Sequence, residues 1–310
     1  MSGKLRTRRV GEWLEIVGVA PAADDTSAST GADNMGKAVE EAAAYVRQTL
    51  NFPDKLIRKL RHTGGLVLDK DRLRLRLFPD ESGEFEPEWF PLDILHEDDY
   101  CLVVNKPAGM RVHPTAPGER GTLAHAVASY YECSGQRCRV RHIHRLDEHT
   151  SGPVLYAKNE LAHLRLDEAM RVKAIERIYV AFASGKVTPR SGVIREPIGK
   201  DRHHPNRRRV SKAGDAAVTR FEVIEQYASA ALVRLRLETG RTHQIRVHMS
   251  HRGHPLLGDA LYGGSTKLIH RQALHGEELH FPHPLENETI CVQAPWPQDM
   301  LNLGQRLHHS

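Results

Sequence analysis

Hydrophobic residues recur along this chain with two different periods, and the switch between them outlines its elements. Across Ala38–Leu50, Val39, Ala43, Val46 and Leu50 fall three or four apart, the spacing of one buried helical face. Pro53 opens a second helical turn carrying Leu56, Ile57 and Leu60, and Gly64-Gly65 ends it. Beyond the glycines the period drops to two. Leu66-Val67-Leu68 is followed by a polar Asp69-Lys70-Asp71 turn, and then Leu73, Leu75 and Leu77 alternate with Arg72, Arg74 and Arg76, which predicts a hairpin with one basic face. Upstream, Pro21–Lys37 is rich in Ala, Ser, Thr, Asp and Gly. With hardly a large apolar side chain to bury, it is expected to be an exposed loop.

Asp80–Pro91 is acidic and turn-rich, which divides the chain into a small N-terminal α/β module (1–80), a linker (81–91) and a larger domain (92–305). In the larger domain short alternating strands are interleaved with a few helices, without the regular strand–helix–strand rhythm of a doubly wound sheet. The expected class is therefore α+β with a mainly antiparallel mixed sheet flanked by helices and loops. Val140–Leu146 and Pro153–Ala157 read as strands around an E-H-T-S-G turn, whose Thr150 and Ser151 can bond nearby backbone. In Arg177–Phe182, Ile178, Val180 and Phe182 form one apolar face and Tyr179 takes the other. Val233, Leu235 and Leu237 alternate with Arg234, Arg236 and Glu238 in a strand ending at Thr239-Gly240. A helix follows with Thr242 as its expected N-cap and Gly253 as its stop, so that Arg246 lies in or just beyond its first turn.

Composition narrows the function. No run of about 18 apolar residues is present and the basic N-terminus has no apolar stretch behind it, so neither a membrane span nor a signal sequence is expected and the cytoplasm is the expected compartment. Four scattered cysteines without a C-x-x-C pair predict reduced thiols. A net charge of +5 and a pI near 9.0 favour polyanionic partners. The basic stretch Gly199–Lys212, with Arg207, Arg208, Arg209 and Lys212 around proline and asparagine, suits a loop that grips phosphates. Histidine is abundant, with 20 copies, and His243, His248, His251 and His254 cluster. That cluster lacks the H-E-x-x-H pattern and a nearby cysteine, so no metal site is expected, although a metal-dependent phosphodiesterase is the reading it would support. Neither a P-loop nor a dinucleotide fingerprint occurs, and no cofactor is expected.

One string is far more specific. His144-Arg145-Leu146-Asp147-Glu148-His149-Thr150-Ser151-Gly152 resembles the H-R-L-D-x-x-T-S-G signature of the RluA-type pseudouridine synthases. Four further blocks match that family in the same order: Asn105–Gly109 with Val112-His113-Pro114; Arg177–Ala181; Gly240–His248; and His254-Pro255 with Gly258-Asp259 and Tyr262-Gly263. The resemblance spans about Leu92–Pro295. It implies a pseudouridine synthase fold and a cofactor-free isomerisation of uridines in structured RNA, large-subunit rRNA or tRNA, and a monomer is the expected state. By resemblance Asp147 is the catalytic carboxylate, Tyr179 packs on the target base, and Arg246 pairs with the aspartate. Arg145 fills the gap left by the flipped base, and Arg207, Arg208, Arg209, Lys212, Arg241 and His243 join it in RNA binding.

Each role has a physical basis. A guanidinium beside a partly buried carboxylate keeps it ionised, where burial alone would neutralise it. Glycoside hydrolysis ordinarily uses two carboxylates, whereas here one stands out. Asp147 could attack as a nucleophile or take a proton from the sugar, and the residues are compatible with both. The N-terminal module resembles a degenerate α-L RNA-binding motif that lacks the usual valine-asparagine-glycine turn, and the same pattern fits a small basic cap. A noncatalytic RNA-binding or ribosome-assembly protein retaining the fold is the alternative function.

Overall fold

The computed structural model describes residues 6–19, 31–81 and 83–309. Its first sheet begins in a segment with only faint periodicity. β1 (Arg6–Val10) and β2 (Trp13–Val17) form a hairpin in which Leu14 and Ile16 turn inward. After α1 (Gly31–Gln48) and α2 (Asp54–His62), β3 (Leu66–Asp69) and β4 (Arg72–Leu75) complete a four-stranded sheet in the order β1-β2-β4-β3. The expected exposed loop at 21–37 is corrected in part. Residues 20–30 lie outside the described residues, but Gly31–Lys37 is helical, because once Val39, Ala43 and Val46 anchor the helix each added turn costs little. The basic hairpin face is also altered. Arg74 pairs with Glu15 at 3.3 Å and lies over the Trp13 ring, and Arg76 bonds Glu12 at 2.6 Å.

The larger part of the chain carries two more sheets. One is β5 (Ile94–Glu97), β6 (Cys101–Lys106), β7 (Arg141–His142) and β8 (Gly152–Ala157), in the order β5-β6-β8-β7. α3 (Leu123–Cys133) and α4 (Glu160–Arg171) pack beside it. The other is six-stranded and contains β9 (Glu176–Ser184), β10 (Ser191–Ile194), β13 (Thr219–Gln226), β14 (Ala230–Leu237), β15 (Leu274–Pro282) and β16 (Thr289–Gln293), in the order β10-β13-β14-β9-β15-β16. Between β10 and β13, β11 (Ile198–Lys200) and β12 (Arg208–Val210) form a separate hairpin. α5 (Gln244–His251) follows β14, and α6 (Gln298–His308) closes the chain with Met300, Leu303 and Leu307 buried. Every strand pair in these sheets is antiparallel, as the absence of a strand–helix–strand rhythm predicts.

Two features decide where the site lies. Leu14, Ile57, Leu73 and Leu75 of the N-terminal sheet and helices share one apolar core with Val103, Leu155, Leu279 and Phe281 of the larger sheets. The described residues of the acidic stretch after Asp80 form neither helix nor strand, yet they are strapped down: Glu81 pairs with Arg141, Glu84 with Arg139, and Glu88 with Arg120. The two larger sheets meet at a single parallel bridge between Ser151 and His275. There Gly152 (φ +128°) lies against Gly276, and a Cβ on Gly152 would sit 2.6 Å from the Gly276 carbonyl oxygen.

Because the core is continuous, Leu75→Ala is expected to cost about 2–5 kcal/mol and to lower the melting of the whole chain in one transition. Calorimetry showing the larger sheets melting separately at their original temperature would contradict a shared core.

Candidate active site

The strand expected over Val140–Leu146 is reduced to the two residues of β7. From Ile143 to Ser151 the chain is a loop, because its side chains are committed to the seam rather than to a ladder. Thr150 N–H bonds the Asp147 carbonyl at 3.0 Å, closing a tight turn. Thr150 and Ser151 do not bond local backbone through their side chains. The Thr150 hydroxyl accepts from Gln272, and that of Ser151 bonds His275 at 2.9 Å, so both stitch the loop to the other sheet. On the near side Lys106, fully buried, donates to the carbonyls of Pro107, Met110 and Glu148 at 2.7, 2.7 and 2.9 Å. Burial pulls its pKa down to about 7, with Asp147 pushing the other way. Three carbonyl acceptors match the three N–H groups of an ammonium.

Arg246 approaches from the opposite wall, in the first turn of α5. Thr242 is not the cap. His243 is, in the left-handed region (φ 58°), because Gln244 already ties the Thr239–Thr242 loop by accepting from Arg241 N–H and Thr239 and donating to Val218 and Thr219. The buried guanidinium is fully engaged: Nη1 donates to Asp147 at 3.1 Å, while Nε and Nη2 form a bidentate pair with Asp259 at 2.7 and 2.9 Å. It also lies over the Tyr262 ring, 5.0 Å from its centre. Burial disfavours its charge, but Asp259 and then Asp147 outweigh that and raise its pKa.

A cleft of about 320 Å³ opens between these walls. Asp147, Tyr179 and Arg246 line it, together with Arg145, Arg241 and His243. Tyr179 is almost wholly buried, and burial is the chief reason its phenol stays protonated, with Arg177 opposing and Asp147 reinforcing. His243 Nδ1 is 2.9 Å from the Tyr262 hydroxyl, which also accepts from Arg208 N–H, and its Nε2 is 3.9 Å from Asp147. Burial lowers its pKa, so it is neutral near pH 7. Arg145 is exposed at the rim and Arg241 anchors to Ala216.

The basic stretch at 199–212 keeps its expected loop at 201–207, held between the paired strands β11 and β12. Arg207 lies over the Tyr262 ring, while Arg209 and Lys212 are exposed away from the cleft wall. Of the clustered histidines, His248 bonds Thr219 and the Glu196 carbonyl and His254 bonds the Ser184 carbonyl. His308, in the last turn of α6, packs edge-on against Tyr227 and lies 3.5 Å from Glu225. Asp259, Lys106 and Tyr262 were present in matched blocks, but nothing local to them marked a role. Only the rule that a buried carboxylate needs a cation would have paired Asp259 with Arg246.

Comparison with known proteins supplies the family. A family profile described as RNA pseudouridylate synthase matches residues 99–251. The uncharacterized RNA pseudouridine synthase YhcT of Bacillus subtilis is 49% identical over 240 residues, 77% of this chain and 80% of that one. The chain belongs to the RluA-type RNA pseudouridine synthase family. Ribosomal large subunit pseudouridine synthase D of Haemophilus ducreyi is 39% identical over 260 residues, covering 78% of this chain and 79% of that protein. Among solved structures, human RNA Pseudouridylate Synthase Domain Containing 4 superposes with a TM-score of 0.58 at 25% identity, covering 69% of this chain and 92% of that one. This pseudouridine synthase is thus an isomerase acting on RNA, with an α+β fold. Among the described residues no helix is long and apolar enough to cross a membrane.

Two outcomes follow for the synthase. Asp259→Asn removes the bidentate partner of Arg246 and is expected to lower turnover at least tenfold while leaving RNA affinity within a few-fold. Unchanged turnover would separate Asp259 from the site. Burial holds His144 down to about 3 and His142 and His275 down to about 4, below the usual 6.5. Unfolding lets each take up a proton below pH 6.5, so stability falls on acidification by up to about 1.4 kcal/mol per pH unit per histidine. Melting between pH 6.5 and 5, above the range of ordinary carboxylates, should show this slope, and His275→Gln should flatten it.

Proposed function

We propose that this synthase isomerises uridines of large-subunit ribosomal RNA in the cytoplasm, as a monomer, with Asp147 as the reacting carboxylate. The observation that carries the reading is Asp147 itself: a half-buried carboxylate at the floor of an RNA synthase's cleft, held by Arg246 and facing Tyr179. The ribosomal substrate rests on relatives such as pseudouridine synthase D. The target uridine would be flipped out of its stack into the cleft, at a cost of a few kcal/mol. Arg145 at the rim would occupy the space it leaves, and Arg207, Arg208, Arg209, Lys212, Arg241 and His243 would meet the surrounding phosphates and sugars.

The chemistry then needs the base–sugar bond broken, the base turned, and carbon 5 joined to the sugar. Asp147 would act on the sugar, by attack or by proton removal, and either route needs it ionised and aimed. Arg246 supplies both through its single bond to Asp147, being itself immobilised by Asp259. Tyr179, protonated and flat against the base, would hold the ring as it turns and exchange the proton at carbon 5. His243, neutral and 3.9 Å from Asp147, would leave that charge undisturbed.

Tritium release from carbon-5-labelled RNA tests the assignment. Asp147→Asn is expected to reduce release to background while RNA affinity stays within a few-fold, since the change removes charge but little volume. Equal loss of binding would deny Asp147 a chemical role. Mapping pseudouridine in a deletion strain should show a missing site in large-subunit rRNA, and a site missing from tRNA alone would overturn the substrate.

A further inference from the structure

Buried cations in this protein have partners. Lys106 has three carbonyls, Arg246 two carboxylates, and Lys158 both Glu97 and the Asp98 carbonyl. Arg177 is different. It leaves β9 two residues before Tyr179, hence on the same face, and is only 8% exposed. Its side chain makes no hydrogen bond or ion pair with any described residue, and its Nε is enclosed without an acceptor.

A second orphan donor lies on the same cleft wall. His144 Nε2 accepts the Leu155 N–H at 3.3 Å, which places the imidazole hydrogen on Nδ1, and Nδ1 is likewise enclosed and unpartnered. Arg177 and His144 both line the cleft that holds Asp147 and Tyr179. A third feature protects the arrangement. A Cβ on Gly240 would come within 2.7 Å of Arg177 Nη1, so the glycine packs directly against the guanidinium, and a side chain there would have to push it aside.

An unpaired guanidinium taken out of water is a standing cost to folding, and so is a buried N–H without an acceptor. Such groups persist where a ligand completes them. A neutral base carbonyl would return a small part of the cost of a buried cation, whereas an anion returns most of it. Each nucleotide brings its anion as phosphate. We propose that Arg177, with the Nδ1–H of His144 beside it, receives a phosphate oxygen of the target nucleotide. This rests on the cleft being the target nucleotide's site. The anchor answers a need of the reaction: once the base is detached, the sugar must stay in register with Asp147 while the base turns against Tyr179, and a phosphate held from below does that.

The test compares Arg177→Met, which keeps volume and removes charge, with Arg177→Lys. Arg177→Met is expected to melt at or above the wild-type temperature, because it removes an unpaired buried charge. It should also lower kcat/KM on a large-subunit rRNA transcript at least tenfold, and reduce the slope of log affinity against log salt by about 1. Arg177→Lys should recover part of both. In thermal-shift titrations, a uridine monophosphate, 3′ or 5′, should protect the wild type better than uridine, and Arg177→Met should lose that difference. Melting of Arg177→Met well below wild type would make Arg177 a structural cation and overturn the proposal, as would an unchanged salt slope. Equal protection by uridine and the monophosphates, lost in Arg177→Met, would assign the arginine to a base carbonyl instead. Asp147→Asn should keep the monophosphate preference. If it also keeps turnover, the reading of the cleft fails independently of Arg177.

Discussion

The backbone contact between Gly152 and Gly276 sets the geometry on which the site depends. It is where the sheet containing β8 and the sheet containing β15 touch, and it leaves no room for a side chain: the nitrogen, Cα and carbonyl oxygen of Gly276 would all lie within 2.7 Å of a Cβ on Gly152. The loop bearing Asp147 runs directly into Gly152, and β15 is paired with β9, which bears Tyr179 and Arg177. The seam therefore decides how far the carboxylate stands from the tyrosine. Ser151–His275 and Thr150–Gln272 fasten it on one side, and Lys106 fastens the Glu148 carbonyl on the other. A loop held at both ends by hydrogen bonds to separate sheets loses little further entropy when substrate arrives.

Charge in the cleft is distributed unevenly, and the unevenness has a logic. Four arginines, Arg145, Arg177, Arg241 and Arg246, line the cleft with one carboxylate, Asp147, and Arg246 binds both that carboxylate and Asp259 outside the lining. Sharing one guanidinium between a wholly buried carboxylate and a partly exposed one makes Asp259 the fixed end and Asp147 the end that can turn toward a substrate. Buried ion pairs of this kind add little net stability, because desolvation takes back most of the attraction, but they set direction. The remaining cations are left without carboxylates, which suits a polyanion and would be wasteful for a neutral ligand.

Much of the fold was legible because periodicity reports burial. The α2 helix, the β3–β4 hairpin, β8, β9 and β14 all stand where leucine, valine and isoleucine spacing puts them. β1–β2 escaped because only Leu14 and Ile16 mark its inward face. The strand expected before Asp147 shrank to β7 because Ile143 and Leu146 serve packing around the seam, which local alternation cannot distinguish from a sheet. The site was legible through one string of residues, and Asp147, Tyr179 and Arg246 do converge on one cleft. Asp259, Lys106 and Arg177 were not, since what sets each apart is its burial and its partners or lack of them, and neither is a property of nearby sequence. Thr242 was misjudged for a related reason: Gln244, from inside the helix, does the capping of its loop.

The N-terminal sheet shows how the same alternation can mislead about function. Leucines facing in and arginines facing out along β4 describe a basic surface only if the neighbouring strand is neutral. Here β2 brings Glu15 directly opposite Arg74, and Glu12 reaches Arg76, so two of the three arginines are engaged within the sheet. Arg9 is likewise drawn to Asp99, just before β6, and stacks on Phe78. Meanwhile the leucine face merges into the core beneath β6, β8 and β15, the strands whose ends carry Lys106, Gly152 and Gly276. What the module contributes first is therefore mechanical. It braces from behind the three strands that meet at the seam, and any hold it has on RNA must come from the charges this bracing leaves over.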